Sequence, residues 1–133
     1  MIRMIAPLRG WDKMGGGHYG APRGGREHNG IDYECIPGAE ILSPISGMIT
    51  KHGYAYSDDS TFRYVEITDA NEYRHRIFYV EPEAGLGDQV TTCDVIGTAQ
   101  NISDRYPGGM TPHVHYEIKT PEGDHIDPDE YHR

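Results

Sequence analysis

The sequence predicts an all-β, coil-rich domain with a sandwich-like arrangement of antiparallel strands and little helix. Three observations carry this expectation. Seventeen glycines and nine prolines in 133 residues interrupt the backbone too often for long helices. Between those interruptions, short runs with a two-residue period recur, rich in β-branched and aromatic residues. Ten tyrosines against two phenylalanines suit half-buried strands, where the ring packs inward and the hydroxyl reaches water. A chain of this length buries a core for one domain, so 1–133 is expected to be a single unit, with 1–25 a glycine-rich N-terminal arm that includes Gly15-Gly16-Gly17 and Gly24-Gly25.

The strands follow in order after that arm. Ile31 to Ile36 alternates apolar and polar residues before the Pro37-Gly38 turn, which reads as a first strand. Glu40–Pro44 and Met48–Lys51 read as two short strands around a bend at Ser46-Gly47. The stretch from His52 to Arg63 is polar and reads as a surface loop. Tyr64–Thr68 and Tyr73–Val80, separated by Asp69-Ala70-Asn71-Glu72, have the form of a β-hairpin with a four-residue turn. In its second strand the alternation places Tyr73, His75, Ile77 and Tyr79 on one face. Val90 to Gly97 reads as one further strand, His113–Lys119 as the last good one, and Asp127-Pro128-Asp129 as part of a polar tail.

Composition excludes some partners. Twenty-one acidic against twelve basic side chains leave a formal charge of −9, which repels phosphate backbones and anionic lipid, so neither nucleic acid nor membrane is an expected partner. No apolar run approaches the roughly 20 residues that span a bilayer. Cys35 and Cys93 lack the close spacing of a zinc knuckle or redox motif and are expected to be two core thiols, with one disulfide the alternative. A monomer is expected.

The chemistry is expected from two clusters. His113 and His115 are two apart on a strand, so both imidazoles project from the same face. Alone, that pattern more often describes a pair of surface or hydrogen-bonded histidines. His28 and Asp32 supply a second element, with Gly30 letting the backbone turn as it enters the first strand. Two imidazoles and one carboxylate make a three-ligand set suited to Zn²⁺, with a fourth position open for water or a carbonyl, as catalysis requires.

These residues resemble a known family. Arg26-Glu27-His28-Asn29-Gly30-Ile31-Asp32 is similar to the His-x-Gly-x-Asp signature of the lysostaphin/LytM-type peptidoglycan endopeptidases, and Thr111-Pro112-His113-Val114-His115-Tyr116-Glu117-Ile118 resembles their His-x-His strand. The resemblance runs from about residue 20 onward. It implies the duplicated-hybrid-motif fold of these peptidases. It also implies His28, Asp32 and His115 as zinc ligands, His113 as general base or oxyanion partner, and a peptide of bacterial peptidoglycan as substrate. Where these enzymes carry a further histidine, Tyr79 stands in Ile77-Phe78-Tyr79-Val80. That segment, with Tyr-Pro-Gly before His-Val-His, resembles the leukocyte cell-derived chemotaxins, zinc-binding relatives regarded as signalling proteins. Two functions are therefore expected: a zinc metalloendopeptidase with His113 and Tyr79 catalytic, or a non-catalytic zinc module that binds a receptor or wall fragment. His75 is a weaker substitute for Tyr79 and reads as a surface residue between Arg74 and Arg76; His18, His52, His125 and His132 read as solvated. The opening MIRMIAPLRGW, broken by Pro7 and Arg9, does not read as a signal peptide. Synthesis in the cytoplasm, with action at the cell wall as a phage or prophage product or after nonstandard export, is the expectation.

Overall fold

The structure is a computed structural model that describes residues 19–20, 28–107 and 109–132. Apart from Tyr19 and Gly20, the expected arm lies outside the described residues, as does His18. Among the described residues ten strands follow in chain order: β1 (Ile31–Glu34), β2 (Glu40–Leu42), β3 (Gly47–Tyr56), β4 (Asp59–Thr68), β5 (Arg74–Phe78), β6 (Val80–Pro82), β7 (Gln89–Val90), β8 (Val95–Ala99), β9 (His113–Lys119) and β10 (His125–Ile126), followed by a short helix α1 (Pro128–Tyr131). They form a seven-stranded sheet in the order β1-β9-β5-β4-β3-β7, with β10 also on β9, and a three-stranded sheet in the order β2-β8-β6. Every pairing is antiparallel. The all-β, antiparallel expectation is the fold observed.

One face of the large sheet supplies Ile31, Tyr33, Ile49, Val65, Ile67, Ile77, Val114, Tyr116 and Ile118, and the small sheet adds Ile41, Val80, Ile96 and Ala99 to the same apolar cluster. Each fully buried isoleucine contributes about 1.5–3 kcal/mol. With one face committed to this core, the period of two leaves alternate residues on the other face, and there the candidate site lies.

Several expectations are corrected. Residues 52–63 are no loop: β3 and β4 continue as a long hairpin that turns at Ser57 and Asp58. Polarity misled because the extension is held by side-chain pairing. The Tyr64 ring lies over Gly53, where a Cβ would come within 2.0 Å of its Cζ, and the Arg63 guanidinium stacks 4.3 Å above the Tyr54 ring. Residues 90–97 are two strands, because Thr91 to Asp94 closes a turn: the Thr91 N–H donates to Asp94 Oδ2 at 2.8 Å, and Cys93 takes φ 76°. The two cysteines are free thiols, but they are not both in the core, since Cys35 is half-buried and Cys93 exposed. The polar tail contains α1, whose first turn is capped by Asp127 accepting from the Asp129 N–H at 3.0 Å, with Pro128 at its start.

The 64–80 hairpin forms as expected, its turn tied by Asp69 Oδ1, which accepts from the N–H groups of Asn71 and Tyr73. The shared face, however, ends at Ile77. Tyr79 takes φ 71°, which ends β5 and swings the phenol off the core face on which His75 and Ile77 are fully buried. His75 is thus neither a surface group nor a candidate for the site. It contacts Asp69 Oδ2 through Nε2 at 2.8 Å and the Tyr116 hydroxyl through Nδ1 at 2.7 Å, and that hydroxyl also meets His132 at 2.7 Å. His132 is therefore bonded rather than solvated, and so are His52, whose Nε2–H donates to the Ala84 carbonyl at 2.7 Å, and His125, which meets Glu117.

Burial pushes His75 below the usual histidine value despite its Asp69 partner, and burial together with nearby His75 pushes His132 down to about 4. Both rings are neutral in the fold, so their contribution is complete above the unfolded value of about 6.5 and is lost as the pH falls toward 4. Urea midpoints should drop across that window with net proton uptake on unfolding. The drop should be shallower in His132→Gln; an equally steep limb in that variant contradicts the assignment.

Candidate metal centre

Strand register builds the site. Asp32 of β1 is the direct partner of His115 on β9, which in turn pairs with Phe78 on β5, and Phe78 with Tyr64 on β4. Paired positions project from the same face, so Tyr64, Phe78, His115 and Asp32 form one row across four strands. Two residues along, Glu66, Arg76 and Glu117 form the next row, closed by the Arg76 Nε–H donating to Glu66 Oε2 at 2.8 Å. His113 lies on β9 two residues before His115, opposite Glu34.

His28 reaches this row from the segment that leads into β1. Its Nε2 lies 3.1 Å from Asp32 Oδ1 and 2.9 Å from His115 Nδ1, and the third edge, His115 Nδ1 to Asp32 Oδ1, is 2.9 Å. Gly30 makes that approach feasible. A Cβ there would sit 2.3 Å from the Tyr116 carbonyl oxygen and 2.9 Å from the His115 ring, so only a bare backbone passes so close to β9.

The triangle fits a cation. Three donors held 2.0–2.1 Å from a tetrahedral ion stand about 3.3 Å apart, near the separations observed. Protons satisfy it less well, because if both imidazoles donate to Asp32 Oδ1 their own 2.9 Å edge sets two N–H groups against each other. A cation at the centre takes one lone pair from each atom. Charge agrees with geometry. Burial opposes ionisation of Asp32, but bonds from His115 and His28 outweigh it and hold the carboxyl well below the usual range. Burial likewise opposes a charge on His115, but Asp32 and Glu117 push the ring up to about 9. The pocket therefore favours positive charge at its centre, and a metal ion binding there displaces protons.

The sequence reading missed the support around this triangle. His115 Nε2 lies 3.0 Å from Glu117 Oε1, and Glu117 Oε2 lies 2.9 Å from His125 Nε2. Burial raises the Glu117 carboxyl, but His115 outweighs it and, with His125, brings it down to about 2, so an anionic acceptor fixes the face of His115 that points away from Asp32. The signal was present, since a two-residue period places Glu117 on the face of His113 and His115. His125 and Phe78, whose ring lies 5.4 Å from that of His115, depend on pairings no spacing shows.

His113 is buried beside the triangle, its Nε2 3.6 Å from Asp32 Oδ2. Its Nδ1 lies 2.7 Å from the Thr111 carbonyl, an oxygen that only accepts. Nδ1 therefore carries the proton, and in the neutral ring Nε2 holds the basic lone pair. Tyr79 presents its ring edge-on to His113, with centroids 5.5 Å apart at 87°. The five residues expected as ligands and catalytic groups thus lie together, three in the triangle with His113 beside it and Tyr79 against His113.

The fold and the site together define a mostly β domain with a candidate three-donor metal centre on one face of its large sheet. Residues 26–128 match Peptidase family M23, and the chain belongs to that family. Among solved structures it is similar to the catalytic domain of EnpA, a prophage-encoded M23 protein of Enterococcus faecalis seen as a point mutant, with a TM-score of 0.68 and 26% identity over 94% of this chain and 92% of that one. It also shares the fold of lysostaphin, with a TM-score of 0.71 and 18% identity over 95% of this chain and 53% of that one. Among sequence relatives, bovine leukocyte cell-derived chemotaxin-2 is 26% identical over 110 residues, which is 83% of this chain and 72% of its own length. Chicken myeloid protein 1 is 28% identical over 119 residues, and there the chain spans about a third (34%) of the relative's length.

Two substitutions test the centre. Glu117→Gln should lower affinity for Zn²⁺, the expected ion, by about tenfold or more, as loss of an orienting carboxylate does; competition with a chromophoric chelator measures it. Gly30→Ala should both abolish tight binding and cost about 2 kcal/mol or more in urea unfolding. Unchanged zinc affinity in Gly30→Ala would contradict the close passage over His115.

Proposed function

We propose that this chain is a zinc-dependent metalloendopeptidase that hydrolyses peptide cross-links of bacterial peptidoglycan, with His28, Asp32 and His115 as ligands and His113 and Tyr79 as its catalytic residues. The observation that carries the reading is the triangle of Nε2, Oδ1 and Nδ1 atoms with the basic nitrogen of His113 beside it. When bound, zinc supplies Lewis acidity that polarises the scissile carbonyl and makes water nucleophilic near neutral pH. His113 Nε2 accepts the proton of the attacking water and returns it to the departing amine, while its Nδ1–H stays on Thr111 and keeps the ring oriented. Tyr79 donates its hydroxyl to the developing oxyanion. Burial pushes that phenol up to about 12, so it remains a proton donor throughout the neutral range. A formal charge of −9 disfavours anionic polymers and lipid, which fits a peptide target. The likeness to a prophage-encoded protein supports a phage or prophage origin, and the proposal includes synthesis in the cytoplasm and action on the wall as a monomer.

A second reading has its own observation. A tyrosine, not a histidine, faces His113, and the bovine chemotaxin matches most of the chain. In that reading the same centre organises a surface that binds a receptor or a wall fragment without cutting it.

Incubation of the zinc-loaded protein with purified peptidoglycan separates the two. New amino termini should appear, vanish with chelator and return with zinc. Their absence with walls of several cross-link types selects the binding reading. In His113→Ala, turnover should fall by about 10²-fold or more with zinc content unchanged; wild-type rates in that variant overturn its role.

A further inference from the structure

Tyr79 is held from two directions. Its left-handed backbone is clamped by its own N–H donating to the Arg63 carbonyl at 2.7 Å and by the Gln100 N–H donating to its carbonyl at 2.8 Å. The Gln100 side chain is fixed in turn, accepting from the Arg63 N–H at 2.9 Å and donating to the Thr61 carbonyl at 2.6 Å. At the other end of the side chain, the Tyr79 hydroxyl meets the Tyr56 hydroxyl at 3.3 Å, and Tyr56 meets the Tyr106 hydroxyl at 3.0 Å. Tyr56 comes from the tip of the β3–β4 hairpin and Tyr106 from the loop before β9, so three separate segments converge on one line of phenols.

Packing holds the middle member of that line. The Tyr56 ring stacks on Tyr79 at 6.4 Å and 17° and meets Phe62 edge-on at 6.3 Å. The Arg105 guanidinium lies 3.7 Å over the Tyr56 ring, and Arg105 Nη1 donates to Asp59 Oδ2 at 3.0 Å. A cation on one face and aromatic rings on the others leave Tyr56 little rotational freedom.

Each phenol has one proton, and the direction of the chain decides where the last one goes. If Tyr79 donates to Tyr56 and Tyr56 to Tyr106, the Tyr79 proton is held inside the cluster. If Tyr106 donates to Tyr56 and Tyr56 to Tyr79, the Tyr79 proton is released toward His113 and its surroundings. An oxygen that gains negative charge there selects the second direction, because each bond in a chain polarises the next.

We propose that Tyr56 is the positioning residue for the oxyanion donor: through its hydroxyl it fixes the phenol of Tyr79 beside His113 and orients the Tyr79 proton toward the reacting carbonyl, with Tyr106 and Arg105 holding Tyr56. This rests on the peptidase reading for the reaction it serves, while the hydroxyl chain itself is a property of the folded protein.

The experiment uses Tyr56→Phe, Tyr79→Phe and the double variant, all of which keep the rings. Tyr56→Phe should lower kcat on peptidoglycan about fivefold to tenfold, with KM and zinc content unchanged, and the double variant should be no slower than Tyr79→Phe alone. Inorganic phosphate, a tetrahedral anion, is the probe that needs no turnover: its affinity for the zinc-loaded protein should fall by similar factors in both single variants and no further in the double. In the metal-free protein carrying ¹³Cζ-tyrosine, the Tyr79 resonance should move in Tyr56→Phe. Additive losses in kcat or phosphate affinity, or a Tyr79 resonance indifferent to Tyr56→Phe, overturn the inference. If the wild type releases no peptide from any wall, the peptidase reading has failed, and the phosphate and resonance measurements decide the role of Tyr56 alone.

Discussion

The site depends on the register between β1 and β9. Asp32 faces His115 because the antiparallel ladder pairs Ile31 with Tyr116 and Glu34 with His113. A slip of one residue would turn Asp32 into the core and Ile31 out of it. The apolar cost of that slip, with Ile31, Tyr33, Val114 and Tyr116 all in the core cluster, is what locks the carboxylate against the imidazole. The hydrophobic pattern and the ligand pattern are the two phases of one alternation. The core therefore specifies the geometry of the candidate metal centre, although no apolar side chain belongs to the donor set.

Gathering so many ionisable groups on a sheet face opposes folding, and the structure offsets this by pairing them. Asp32, His28, His113 and Glu117 are all buried, and each has a polar partner. Buried polar groups without partners cost several kcal/mol, yet no buried side-chain nitrogen or oxygen is left unbonded among the described residues. The arrangement also divides labour between the faces of each ring. His115 turns Nδ1 to the triangle and Nε2 to Glu117, and His113 turns Nε2 to Asp32 and Nδ1 to a carbonyl. Fixing one nitrogen assigns a role to the other.

Tyr79 is a departure from regular geometry that the proposed function explains. A tyrosine with φ 71° is strained, because its Cβ crowds the backbone in the left-handed region. The strain ends β5, starts β6, and moves a phenol from the core face to the side of His113. Without it, the alternation would bury the phenol beside Ile77. The hairpin extension of β3 and β4 then acquires a purpose that its polarity concealed: it carries Tyr56 to the phenol.

Much was legible in the sequence, for reasons that differ by residue. The strand that starts at Ile31, expected to reach Ile36 and ending at Glu34, the strand at 113–119 and the hairpin turn at 69–72 follow local rules of alternation and turn chemistry, so they read from the chain. The histidine pair at 113 and 115 shares a face because a strand has a period of two, and no tertiary information is needed for that. The extended hairpin was illegible because Gly53 and Tyr64, or Tyr54 and Arg63, stabilise strands only across a pairing. The buried places of His75 and His132 were illegible because histidine is equally at home in water, and only their partners Asp69 and Tyr116 draw them inward. The sequence alone thus determined which side chains were chemically suited to hold a cation and on which phase of a strand they lay. Only the tertiary structure decided that residues 28, 32 and 115 meet, that Glu117 backs them and that Tyr79 leaves the core, because those outcomes depend on register between distant strands and on one backbone dihedral that no local pattern encodes.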